Sequence, residues 1–204
     1  MRVLRATVIL AACAALAACG KKEQAAPANE SPLPGSIAYK AAQALSAGPE
    51  WLAGVATIAQ MPAVDSAPIE ILRQGTGGWT CFANLPSTPR KVPLCVDEQF
   101  LSWVEALRAH AKAPALSAMA IAYAMQGLRV ASATEPLKAS PDSGKPWVDI
   151  PAAVLIGMPN SQAFRGIPTA SHGNRPWVLW AGTPWAVMVV PVAALATPPL
   201  ARKK

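Results

Sequence analysis

The sequence predicts an α+β fold, a single domain in which a mostly antiparallel sheet of about six strands carries one long amphipathic helix. Three observations lead there. Short β-compatible apolar segments recur between turns rich in Pro and Gly. Two pairs of these segments are close enough in sequence to form hairpins. A single stretch after Asp97 has its apolar side chains at helical spacing.

The elements follow in chain order. A first, Ala-rich helix is expected over residues 36–47, capped by Ser36 and ended by Gly48-Pro49. Residues 55–61 and 68–74 read as strands around a turn at 62–67. Gly75-Thr76-Gly77-Gly78 reads as a tight reversal into a strand over 79–82, so that 68–74 and 79–82 pair as a hairpin. Residues 84–94 hold three prolines and form a loop. Asp97 then caps the clearest helix, whose Phe100, Trp103, Val104, Leu107 and Ala111 make one buried stripe. Arg108, His110 and Lys112 suit its carboxyl end, where the helix dipole favours cations, and Pro114 follows. Residues 117–126, with Ile121, Tyr123 and Met125 at alternate positions, read as a strand with a helix as the alternative, and Gly127 ends either. A polar loop over 131–146 leads to 147–149, and 152–158 reads as a buried strand bounded by prolines. Residues 177–180 and 185–190 form a last hairpin around Ala181-Gly182-Thr183-Pro184.

Ahead of this domain the chain begins with Arg2 and Arg5, then an apolar run from Ala6 to Ala18, the charged and hydrophobic parts of an export signal. The run is shorter than the roughly 20 residues a spanning helix needs. Leu16-Ala17-Ala18-Cys19-Gly20 resembles the lipobox of bacterial lipoproteins. The resemblance implies removal of residues 1–18, a lipid on Cys19, and fatty acylation of the new amino terminus, palmitate being the expected label. Gly20, rather than Asp, resembles the pattern for sorting to the outer membrane, facing the periplasm. Residues 19–35 would then be the lipidated end and a Pro-containing tether, and residues 36–204 the domain with a short basic tail. Sixteen extended residues reach roughly 50 Å.

The charge balance of +7 is misleading about partners, because Arg2, Arg5, Arg202, Lys203 and Lys204 supply most of it. No basic groove for nucleic acid is implied. Of four cysteines, Cys13 leaves with the signal and Cys19 takes lipid, which leaves Cys81 and Cys95. In an oxidising compartment they are expected to pair, closing a loop of about 15 residues and stabilising the fold by roughly 3 kcal/mol in the chain-entropy model.

Gly78-Trp79-Thr80-Cys81, Cys95-Val96-Asp97, Trp103, Ala122-Tyr123-Ala124-Met125-Gln126-Gly127 and Gly182-Thr183-Pro184-Trp185 together resemble a group of uncharacterised exported bacterial proteins without an assigned activity. That resemblance implies histidines in relatives where this chain has Ala152 and Val187.

Catalytic patterns are hard to find. Gly144-Lys145 lacks the glycine of a phosphate loop, since Ala139 stands in its place, and no G-x-S-x-G or H-E-x-x-H occurs. Asp97 and Glu98 are explained by a helix start. His110 sits at a helix end, whereas His172, in Ser171-His172-Gly173-Asn174, is presented by a loop and with Ser171 and Asp149 suggests a nucleophile, base and orienter. Of seven tryptophans, Trp177, Trp180 and Trp185 cluster on the last hairpin. Because Trp177 and Trp180 are an odd number apart they are expected on opposite strand faces; burial between sheet and helix is the leading reading for the cluster, and one ring exposed to stack on a sugar, a peptide or another protein is the alternative. The sequence thus points to a binding or interaction module without catalytic residues, cofactor or metal, taking an envelope protein or a small ligand. The alternative is a small periplasmic hydrolase using His172.

Overall fold

A computed structural model describes residues 32–85 and 92–192 of the chain. Cys19, the segment expected to be an export signal, the expected tether up to residue 31 and the basic tail lie outside the described residues. The described residues from Pro32 onward form one compact unit, and every element below belongs to it.

Ser36 is in extended conformation and its hydroxyl accepts from the Tyr39 N–H, so α1 (Ile37–Leu45) begins where an N-cap was expected. A 3-10 turn (Glu50–Gly54) leads to β1 (Thr57–Gln60), which pairs antiparallel with β2 (Glu70–Arg73). The expected pairing of β2 with β3 (Trp79–Phe82) does not form. β3 instead joins the other side of β1, parallel to it, with Ile58 opposite Cys81. The reason lies at residues 75–77. Thr76 and Gly77 donate to the Val55 carbonyl, and a side chain at Gly75 would overlap the backbone of Ala56 and Thr57. The glycine-rich segment therefore crosses the end of β1 in close contact, instead of folding β2 back on itself.

β4 (Leu94–Asp97) pairs antiparallel with β3 and puts Cys95 directly opposite Cys81. Asp97 ends this strand and caps α2 (Glu98–Arg108), accepting from Phe100 N–H at 2.7 Å, while its other oxygen accepts from Ile121 N–H at 2.9 Å. One carboxylate thus fixes the helix to β5 (Ala120–Ala124). Gly127, at φ 74°, turns the chain into β6 (Leu128–Val130), which pairs with β7 (Val148–Ile150) in a separate two-stranded ribbon. β8 (Ala153–Gly157), β9 (Trp177–Leu179) and β10 (Val187–Pro191) complete the large sheet, and β9 and β10 form the expected terminal hairpin.

The strand order is β2-β1-β3-β4-β5-β8-β10-β9, all antiparallel except β1 with β3. The α+β class and mostly antiparallel sheet are as expected. The large sheet has eight strands rather than about six, and the two α-helices are short, 9 and 11 residues, so that no one long helix covers the sheet. β4 and β6 escape sequence reading because one runs straight into a helix cap and the other has three residues. Neither is long enough to show a period of two.

Alternation along the strands sorts the core onto two faces. Ala59, Phe82, Leu94, Val96, Ala122, Leu155, Leu179 and Val187 point to the face under α2. Ile58, Cys81, Ala83 and Cys95 point to the face under α1. Farther along that second face, Val178 packs with Phe164 of a second 3-10 turn (Ser161–Phe164). No helix among the described residues is long and apolar enough to cross a membrane.

Candidate functional site

α2 does not close completely on its face of the sheet. Beside it lies a cavity of about 380 Å³, within the range of small-molecule sites, roughly 300–1,000 Å³. Leu94, Leu155, Leu179 and Val187 of four strands form the floor. Phe100, Trp103, Val104, Leu107 and Arg108 form the α2 wall, one helical stripe continued by an arginine. The opposite wall is the chain that leaves the large sheet at β6, from Leu128 to Ser132, followed by Glu135, Pro136, Lys138 and Ala139.

Trp180 ties that wall in place. Its backbone N–H donates to Ala133 O at 2.9 Å and its Nε1 to Ser132 O at 2.9 Å. Its φ of 56° is left-handed, an uncommon conformation for a residue with a large side chain. That conformation overturns the expected placement of the hairpin tryptophans. Strand alternation would send Trp180 to the face of Val178, but the positive φ reverses it. Trp177, Trp180 and Trp185 all enter the α2-side core, at 2%, 8% and 4% exposure. None offers a free face on the surface, and Trp180 reaches a ligand only through the cavity it lines.

Trp103 is the centre of the aromatic packing. Its ring stacks on Trp180 with centroids 5.8 Å apart, meets Trp185 edge-on at 5.4 Å, and lies 5.1 Å from Phe100. Such pairs each add roughly 0.5–1.5 kcal/mol beyond their burial. They hold the cavity wall rigid where it meets the hairpin. The sequence marks Trp103 and Arg108 only as a stripe residue and a helix-end cation. Their meeting with Trp180 depends on the strand order.

The polar groups at the rim are mostly paired. Arg129 and Asp149 face each other across β6 and β7 in a two-pronged ion pair, Nε to Oδ1 at 2.6 Å and Nη2 to Oδ2 at 2.8 Å, which raises the arginine pKa. Lys138 reaches Asp142 at 2.6 Å and Glu135 at 3.3 Å. The hydrogen bond to Asp142 raises the lysine pKa, and Lys138 together with Lys145 lowers that of Asp142. Arg108 differs: its Nη2 donates to the backbone carbonyls of Asp65 and Ala67 at 2.8 and 2.6 Å, both neutral acceptors.

The residues suggested for chemistry are not joined by hydrogen bonds. His172 and Ser171 are exposed and their side chains make no hydrogen bond among the described residues. The Asp149 carboxylate receives Arg129. His110 pairs with Asp65 at 3.4 Å at the surface. Among the described residues no group of three or more His, Cys, Asp and Glu is placed to hold a metal ion. Cys81 and Cys95 are joined by a disulfide on the face away from the cavity.

No protein-family model matches the chain, and no match is found among curated proteins or solved structures.

Proposed function

We propose that this chain is a lipid-anchored protein of the cell envelope, fastened through Cys19 to the outer membrane on its periplasmic side, and that its domain binds a small apolar or amphipathic ligand. The cavity beside α2 carries the binding half of the reading: an apolar floor, a rigid aromatic wall and a polar rim are the features of a small-molecule site. The export signal with its lipobox-like end carries the other half. A disulfide in the folded domain fits an oxidising compartment.

Binding is tested on residues 32–204, which contain every described element, with the neutral fluorophore N-phenyl-1-naphthylamine. A saturable rise in its emission is expected. Leu107→Glu, which puts a carboxylate on the apolar wall, should weaken that binding at least about tenfold. A linear, unsaturable response insensitive to Leu107→Glu sinks the ligand reading. For the anchor, radiolabelled palmitate should enter the wild-type chain and not Cys19→Ser. Intact, unacylated wild-type chain recovered from cytosol would overturn it.

A further inference from the structure

We propose that the ligand is a single-chain amphiphile with one anionic head, a fatty-acid carboxylate, and that Arg108 holds the head. This rests on the reading of the cavity as a ligand site and adds the chemical class.

The charges at the rim carry the argument. Among the described residues lining the cavity, Arg129 and Lys138 both have carboxylate partners, and the Asp65 carboxylate lies against His110. Arg108 has none within ion-pair distance. Two backbone carbonyls fix its guanidinium without cancelling its charge. A carboxylate supplies negative charge and several acceptor sites at once, and the planar guanidinium suits it better than a spherical anion. Partial removal from water strengthens the attraction. The carboxyl end of α2 opposes an anion through its dipole, but that end carries only about half a unit of charge against the full charge of Arg108.

The tail follows from the floor. Leu94, Leu155, Leu179 and Val187 present methyl groups and no polar side chain, and a volume of about 380 Å³ lies near the lower end for ligand sites. That size suits one acyl chain better than the two of a diacyl lipid. The competing role for Arg108 is a purely structural clip between α2 and residues 65–67.

Isothermal titration of residues 32–204 with dodecanoate and with dodecanol separates these possibilities, because the two probes share a tail and differ in head charge. Dodecanoate should bind the wild-type domain at least about tenfold more tightly, the size expected of hydrogen bonds to a charged group. Arg108→Met should erase that preference and Arg108→Lys should keep part of it. If dodecanol binds and dodecanoate binds no better, the anionic-head proposal fails while the ligand reading stands. If neither binds, the ligand reading itself fails. Equal weakening of both probes by Arg108→Met marks a clip and overturns the assignment of Arg108. Should that variant not fold, the wild-type comparison still decides the head charge.

Discussion

The two faces of the large sheet are each covered by a helix, yet they are built differently. Under α1 the side chains are mostly small and tightly fitted, with Ala44, Ala47, Ala56 and Ala83 around the Cys81–Cys95 disulfide. A Cβ at Gly48 would come within 3.2 Å of the Cys95 sulfur. Under α2 the buried side chains include four tryptophans and two phenylalanines, and their bulk props the helix and the β6–β7 excursion apart far enough to leave a cavity. The closed face holds the fold together. The open face has room for a ligand because aromatic rings stacked on one another are stiff enough to line a gap without collapsing into it.

The same truncation on each face should break this comparison or support it. Leu52→Ala, in the closed face and fully buried, is expected to destabilise by about 3–4 kcal/mol. Leu107→Ala, half-buried at the cavity wall, should cost only about 1 kcal/mol, because the space beside it is already open. Equal losses in denaturant titrations would mean the faces do not differ as argued.

Replacing Cys81 and Cys95 together by alanine should cost about 3 kcal/mol and lower Tm by roughly 6–12 °C. Binding of the naphthylamine probe at 25 °C should survive, since the disulfide lies on the other face. Loss of probe binding in a domain that is still folded would show that the faces are coupled.

Asp97→Ala sharpens the boundary between the faces, because this carboxylate joins α2 to β5. A loss of about 1–2 kcal/mol is expected from the cap alone, with probe binding weakened as the cavity wall loosens. Asp97→Asn should restore only part of the stability, because its one amide oxygen can accept from Phe100 N–H while its NH2 group would face the Ile121 N–H, a donor against a donor.

The smallest effect concerns acid. The pKa of Asp142 is lowered by Lys138 and Lys145, so its ion pairs stabilise the folded state above the carboxylate's ordinary value and fade as the pH falls through the lowered one. Probe affinity measured by fluorescence should therefore hold steady down to about pH 4 and decline below it, as the cavity's loop wall loses its tie. Asp142→Asn should flatten that decline.

Much of the closed face was legible in the sequence. Ser36 and Asp97 cap the helices as their side chains predict, and Cys81 and Cys95 pair as expected. Less of the open face was. The stripe of Phe100, Trp103, Val104 and Leu107 predicts a buried helix face equally well whether the space beneath is filled or empty. Trp180 was placed on the wrong side because alternation assumes extended backbone, and its left-handed φ answers to bonds with Ser132 and Ala133, 48 and 47 residues away. β2 was paired with the wrong strand because sequence proximity favours a hairpin, whereas Gly75 packs against the end of β1.

By itself the sequence determined what depends on neighbours in the chain: the helix caps, the amphipathic stripe and the class of fold. Tertiary structure alone decided the strand order, the parallel contact between β1 and β3, and the cavity where Trp103, Arg108 and Trp180 meet. The physical reason is range. A cap or a turn is set by hydrogen bonds across three or four residues, whereas a cavity is what remains when distant stiff side chains cannot approach more closely.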